Sequence, residues 1–141
     1  MNEAASVSFV SFTVPTRVIV AKFALAALLA LIALFMGNRP QVVIGLLAAV
    51  ALAAYGLRDC VSRERVRADA DGVVAVRGYV GRRHLAWSKI ERVRVDTRSR
   101  LGARTELLEL DAGDEIFLFS RFDLGVDPDD AAAALEAVRE R

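Results

Sequence analysis

Residues 18–57 make a stretch of 40 residues that carries only two charges, Lys22 and Arg39, in a chain of 141. The chain as a whole is 55% hydrophobic and 26% charged, so its apolar residues are concentrated here rather than spread through an ordinary core. Residues 18–36 reach about 28 Å as a helix, against a hydrocarbon thickness of roughly 30 Å. The run between Arg39 and Arg58 holds 18 uncharged residues and also just spans. Gly37, Asn38, Arg39 and Pro40 supply a helix stop, a turn and a restart. The pattern predicts a two-helix transmembrane hairpin, with spans at about 18–36 and 41–57. Lys22, one turn into the first span, is expected to run its methylene stem back to the interface.

Two other readings of the stretch fail. A helical pair buried in a soluble protein keeps a polar face on each surface helix, and neither run has one. A cleaved signal peptide starts on a charged region and ends on a small-x-small site. Here the basic residues begin at Arg17, no such site follows Phe35 and Met36, and a second run comes at once.

Basic residues flank the pair on one side: Arg17 and Lys22 before it, Arg58, Arg63, Arg65 and Arg67 after it, with only Arg39 between the runs. Basic flanks stay in the cytoplasm. Both termini are therefore expected inside, on a multi-pass chain of the cell's inner (plasma) membrane. Within the spans, Gly45, Ala49 and Ala53 recur every four residues, and Ala26 and Ala30 do so in the first. Such rows let helix backbones approach in lipid; the row packs the hairpin against itself or docks another chain.

Residues 1–17 read as a separate N-terminal segment. Polar and apolar residues alternate from Ser6 to Val14 with a slip at Val10, which fits a strand or an interfacial segment placing Phe9 and Phe12 among headgroups. Thr16 is the expected N-cap of the first helix.

Beyond the spans the period changes to two. Asp71 and Gly72 are a hairpin signal between residues 65–69 and 73–77. Gly78 and Gly81 bracket a second turn, leading into residues 82–87. Residues 90–97 alternate with Val93 and Val95 on one face. Residues 98–103 read as a basic loop, 104–111 as a strand with Leu108 and Leu110 inward, and 115–119 as a last strand. Pro128 then opens an amphipathic helix, with Asp127 as N-cap and Ala131, Leu135 and Val138 at helical spacing. The expected fold class is a transmembrane hairpin followed by a small antiparallel β domain, residues 63–141, closed by a C-terminal helix.

That order of strands and helix is the pleckstrin-homology (PH) order. Residues 67–78, RADADGVVAVRG, and 81–95, GRRHLAWSKIERVRV, add a "DG" hairpin, a "G-x-R-R" turn and a "W-x-x-I" step. The chain resembles the bacterial PH-like membrane proteins of the actinobacterial low-molecular-weight protein antigen 6 type over about residues 15–141. The resemblance implies a PH-like fold and brings no catalytic residues.

The residues point away from catalysis. One cysteine and one histidine leave no disulfide, metal cage or catalytic pair. His84 reads as structural, Cys60 as a small interfacial residue, and Trp87 as a core anchor. Asp127, Asp129 and Asp130 are explained by the start of a helix. Glycines 78, 81 and 102 belong to turns rather than to a nucleotide fingerprint. No cofactor is expected.

Charge is uneven: residues 58–104 sum to +7 and residues 105–141 to −8. Arg58, Arg63, Arg65 and Arg67 would lie beside an anionic leaflet, where each basic side chain is attracted by about 1 kcal/mol. Arg77, Arg82, Arg83, Arg98, Arg100 and Arg104 lie in or near turns; on one rim they would make a phosphate-binding patch. The acidic C-terminal third and lone Trp87 argue against nucleic acid. The expected function is a non-catalytic, membrane-anchored PH-like adaptor that contacts the bilayer and a protein partner, cytoplasmic or integral. The alternative is an accessory subunit of a larger membrane complex, docked through its hairpin. The sequence specifies no oligomeric state.

Overall fold

A computed structural model describes residues 9–35 and 37–141. The chain divides into two compact units: a helical unit, Pro15–Arg63, and a β unit built from Glu64–Arg141 together with the described residues up to Val14.

The helical unit holds α1 (Thr16–Phe35) and α2 (Arg39–Val61). Gly37, at φ 75°, takes the left-handed conformation that a side chain resists, and Pro40 sits in the first turn of α2. Thr16 is not the cap of α1. The Pro15 carbonyl accepts from the Val18 N–H at 3.0 Å, and the Thr16 hydroxyl accepts from the Arg63 guanidinium. Buried residues fall at heptad spacing on α1, Ile19, Ala26 and Ala33, and face Ala49, Gly56 and Asp59 of α2. A Cβ on Gly45 would stand 2.5 Å from the Ala33 Cβ, and one on Gly56 3.0 Å from the Phe23 ring. The helices approach where glycine permits it. Lys22 does not snorkel: its ammonium pairs with the buried carboxylate of Asp59. Helix α2 runs past Arg58 to Val61, four residues beyond the expected end, and so carries Asp59 to Lys22.

The β unit has two antiparallel sheets. The first is ordered β1 (Val10–Thr13), β2 (Glu64–Asp69), β3 (Gly72–Arg77), β4 (Gly81–Ala86). The second is β5 (Arg92–Arg100), β6 (Ala103–Asp111), β7 (Ile116–Ser120). Strand β1 precedes the helices in the chain but pairs with β2, Val10 opposite Ala68 and Phe12 opposite Val66. The helical unit is thus inserted between the first two strands. Residues 10–13 belong to the β unit rather than to a separate N-terminal segment, with Phe12 only 7% exposed in its core. Of the expected alternation, Ser6, Val7 and Ser8 lie outside the described residues, as does Met36 at the end of the first apolar run.

Turn chemistry sets the register. Asp69 Oδ1 accepts from the N–H groups of Asp71 (2.9 Å) and Gly72 (3.2 Å), and the Trp87 indole donates to the Asp69 carbonyl at 2.8 Å. The expected basic loop at 98–103 is instead a two-residue hairpin. Leu101 (φ 51°) and Gly102 (φ 78°) are both left-handed, the twist a tight hairpin needs, so β5 and β6 continue to Arg100 and from Ala103. Only Leu107 to Asp111 of β6 have a β7 partner. The tip of the β5–β6 hairpin therefore overhangs the sheet.

One apolar cluster joins the sheets to the C-terminal helix. Leu108 and Leu110 are fully buried, and Ala131, Leu135 and Val138 of α4 (Pro128–Arg139) close over them as their spacing predicts. Val93 and Val95 are only half-buried, because β5 is an edge strand. Between β7 and α4 lies a one-turn helix, α3 (Arg121–Leu124), held by a reciprocal cap between Ser120 and Asp123.

Candidate functional site

The arginines expected on the surface divide by what they touch. Arg58 and Arg63 lie at the end of the helical unit, Arg58 in the last turn of α2. Arg65 is 1% exposed, with Nε 3.6 Å from Asp123 Oδ1, so it ties β2 to the cap of α3 and no headgroup reaches it. Val66 and Ala68 are the inward residues of β2, and residue 65 escapes their alternation: the register slips where Phe12 pairs with Val66 and Thr13 with Glu64, which leaves 65 as the extra residue of a β-bulge. The Arg67 guanidinium stacks 4.5 Å above the Phe9 ring. Arg82 Nη1 lies 3.3 Å from Glu64 Oε1. Arg77 (2.8 Å) and Arg83 (3.3 Å) share the carboxylate of Glu115. Arg98 pairs with Asp96 at 2.8 Å and Arg104 with Glu106 at 3.7 Å, while Arg100 is exposed at the hairpin tip.

These arginines do not share one rim. Glu115, in the β6–β7 turn, brings that turn beside Arg77 and Arg83 at the β3–β4 turn. Arg98, Arg100 and Arg104 sit at the other end of the second sheet, six to eight residues along the β6 ladder from Asp111, or about 20–27 Å at strand spacing. The structure builds two separate basic clusters, most of whose charges already face a carboxylate. Sequence pattern places residues near turns; only the pairing of β6 with both neighbours decides which turns meet.

Gly45, Ala49 and Ala53 face α1. Ala49 is buried, Gly45 meets Ala33, and Ala53 is partly covered. The row is used within the hairpin, and the outer faces carry large side chains instead: Phe35 is 87% exposed, Ile44 68% and Val50 66%.

Two of the open clefts formed by described residues lie in the β unit. One, of about 250 Å³, is lined by Arg104, Glu106, Ser120, Phe122 and Asp127 among others. A second, of about 340 Å³, lies between Arg83, Lys89, Glu91 and Asp114. Both mix charges, and neither brings a nucleophile to a general base. His84 is exposed on β4, Cys60 is exposed on α2, and Asp127 pairs with Arg121 at 3.1 Å. Among the described residues no three His, Cys, Asp or Glu side chains converge as a metal site. Two features escaped sequence reasoning. The Lys22–Asp59 pair joins residues 37 apart, and Asp59 carried a signal as the lone acid at the end of an apolar run. Tyr79 and Val80 are half-exposed at the tip of the β3–β4 turn; an aromatic-aliphatic pair bracketed by glycines was their signal.

Comparison with curated proteins finds no match, and comparison with solved structures finds none. A family model described as a bacterial PH domain matches residues 63–141, more than half of the chain. The matched span covers β2 to α4, six strands and the closing helix in PH order, and β1 completes the first sheet from the other side of the helical unit. By match and by architecture, the chain belongs to the bacterial PH domain family.

Proposed function

We propose that this protein is a membrane-anchored, non-catalytic PH-like module whose β domain binds a protein partner at the cytoplasmic face of the inner membrane. The observation that carries the reading is the outer surface of the two helices. Both are long and apolar enough to cross a membrane, and Leu34, Phe35, Ile44, Leu47 and Val50 are exposed at 61–87%. Water does not tolerate a contiguous apolar surface of that extent, and lipid does. The basic residues at 58, 63 and 67 support an inward C-terminal domain. The likeness to antigen 6-type proteins, carried by the motif order, agrees with a hairpin joined to such a domain.

Binding suits the β unit better than chemistry does, because its clefts are open and mixed in charge. The accessory-subunit reading loses its docking row, since Gly45 and Ala49 are spent on α1. Topology is tested in a Cys60→Ser background: Asn38→Cys should react with an impermeant thiol reagent in intact cells, and Asp127→Cys should not. The reverse labelling overturns the orientation. Purification in mild detergent tests the role. A fixed stoichiometric set of integral subunits would replace the adaptor by the accessory subunit.

A further inference from the structure

We propose that the β3–β4 turn, through Tyr79 and Val80, is a bilayer contact that seats in the headgroup layer of an anionic leaflet and aims the β unit. The inference rests on the membrane-anchored reading above. Within the first sheet, register assigns each residue to one of two ends. Thr13 pairs with Glu64 and Arg77 with Gly81 at one end; Asp69 pairs with Gly72 at the other. Both chain connections to the helices leave from the first end. Val14 and Pro15 separate β1 from α1, and Ser62 and Arg63 separate α2 from β2. Each is a path of at most ~11 Å. Gly78, Tyr79 and Val80 extend beyond that row, while the Asp71 turn lies a strand length away, about 17 Å from Gly72 to Arg77.

The chemistry of the tip fits an interface. Tyr79 is 50% exposed and Val80 49%. A tyrosine ring offers an apolar body and a polar end, the combination enriched where hydrocarbon meets water. Arg77, Arg82 and Arg83 surround the turn, and their carboxylate partners are Glu64 and Glu115, leaving one positive charge in excess. Leu101 is the rival contact: it is fully exposed among Arg98, Arg100 and Arg104. It belongs to the far end of the second sheet, because Glu115 holds the β6–β7 turn beside Arg77 and β6 runs a full strand length from there to the Leu101 turn.

The test places an environment-sensitive fluorophore on Val80→Cys, Asp71→Cys or Leu101→Cys in the full chain with Cys60→Ser. Each protein is reconstituted in phosphatidylcholine–phosphatidylglycerol vesicles that contain a headgroup-level quencher. The label at 80 should lose most of its fluorescence, with those at 71 and 101 near the quencher-free value. Quenching at 101 but not at 80, or equal quenching at all three, overturns the assignment. Flotation of the same samples separates the two readings. A chain that fails to float with vesicles sinks the anchoring and this proposal together, whereas a floating chain unquenched at 80 sinks the turn assignment alone.

Discussion

The helical unit and the β unit exclude water in different ways. In the helical unit, three residues of each helix are buried, and several are small or polar: Ala26, Ala33, Ala49, Gly56 and Asp59. Most of the leucines and isoleucines point outward, Leu25, Leu34, Ile44 and Leu47 among them, while Ile19 is buried. In the β unit, fifteen side chains form one buried cluster, and eight of them, Val66 and Leu135 among them, show no exposed surface. The β unit encloses its own apolar interior, whereas the helical unit has its large apolar surface outside, the arrangement that suits a hydrocarbon solvent. One chain therefore obeys two opposite patterning rules. Their boundary falls inside a sheet, since β1 and β2 flank the insertion.

Strand β1 offers the sharpest break of that contrast. If the β unit is independent of the helices but not of β1, joining residues 9–14 to 64–141 through a short Gly-Ser turn should yield a water-soluble, cooperatively unfolding domain. Urea denaturation should find residues 63–141 alone less stable by about 3–5 kcal/mol, the cost of emptying a Phe-sized site. Equal stability would mean that Phe12 adds nothing to the core. Next comes Arg65→Ala in the joined domain, which leaves Asp123 facing a cavity. It should cost about 2–4 kcal/mol, toward the lower end of the range for broken buried pairs because Asp123 keeps contact with water. Arg65→Met should recover part of the loss.

On the helical side, Gly45→Leu drives a side chain into Ala33. An overpacking cost of about 1–3 kcal/mol is expected, seen as a wider separation between spin labels at Ala30 and Ala53 in detergent micelles. The β unit of the same variant should keep its unfolding midpoint, and a shared loss would erase the distinction between units. The smallest effect belongs to Arg98, Arg100 and Arg104. Replacing all three by Gln at the overhanging tip should change stability by no more than about 0.5 kcal/mol per site. It should also leave flotation with anionic vesicles unchanged in the full chain.

Much of the architecture is local, and for that reason readable. Forty residues with two charges specify the helical pair, because each residue's partition into lipid is independent of distant parts of the chain. Asp71-Gly72 and the Asp127-Pro128 helix start act over a few residues, and the spacing of Ala131, Leu135 and Val138 names the buried face of α4. Leu101 marks the limit of local reading. A leucine resists positive φ, so only the pairing of two long strands holds it in the hairpin turn where a loop was expected.

What the tertiary structure alone decided is which distant residues meet. Residues 10–13 alternate too briefly to declare a partner, and their place beside β2 comes from strand pairing across the inserted helices. Lys22 found Asp59 because heptad packing set those two positions opposite each other. Ten arginines look equivalent in a list of basic residues. Their environments are not: Arg65 is buried beside Asp123, Arg77 and Arg83 share Glu115, and Arg100 stands at an exposed tip. Composition sets how much charge a surface carries, and the register of β6 between its neighbours sets where that charge stands.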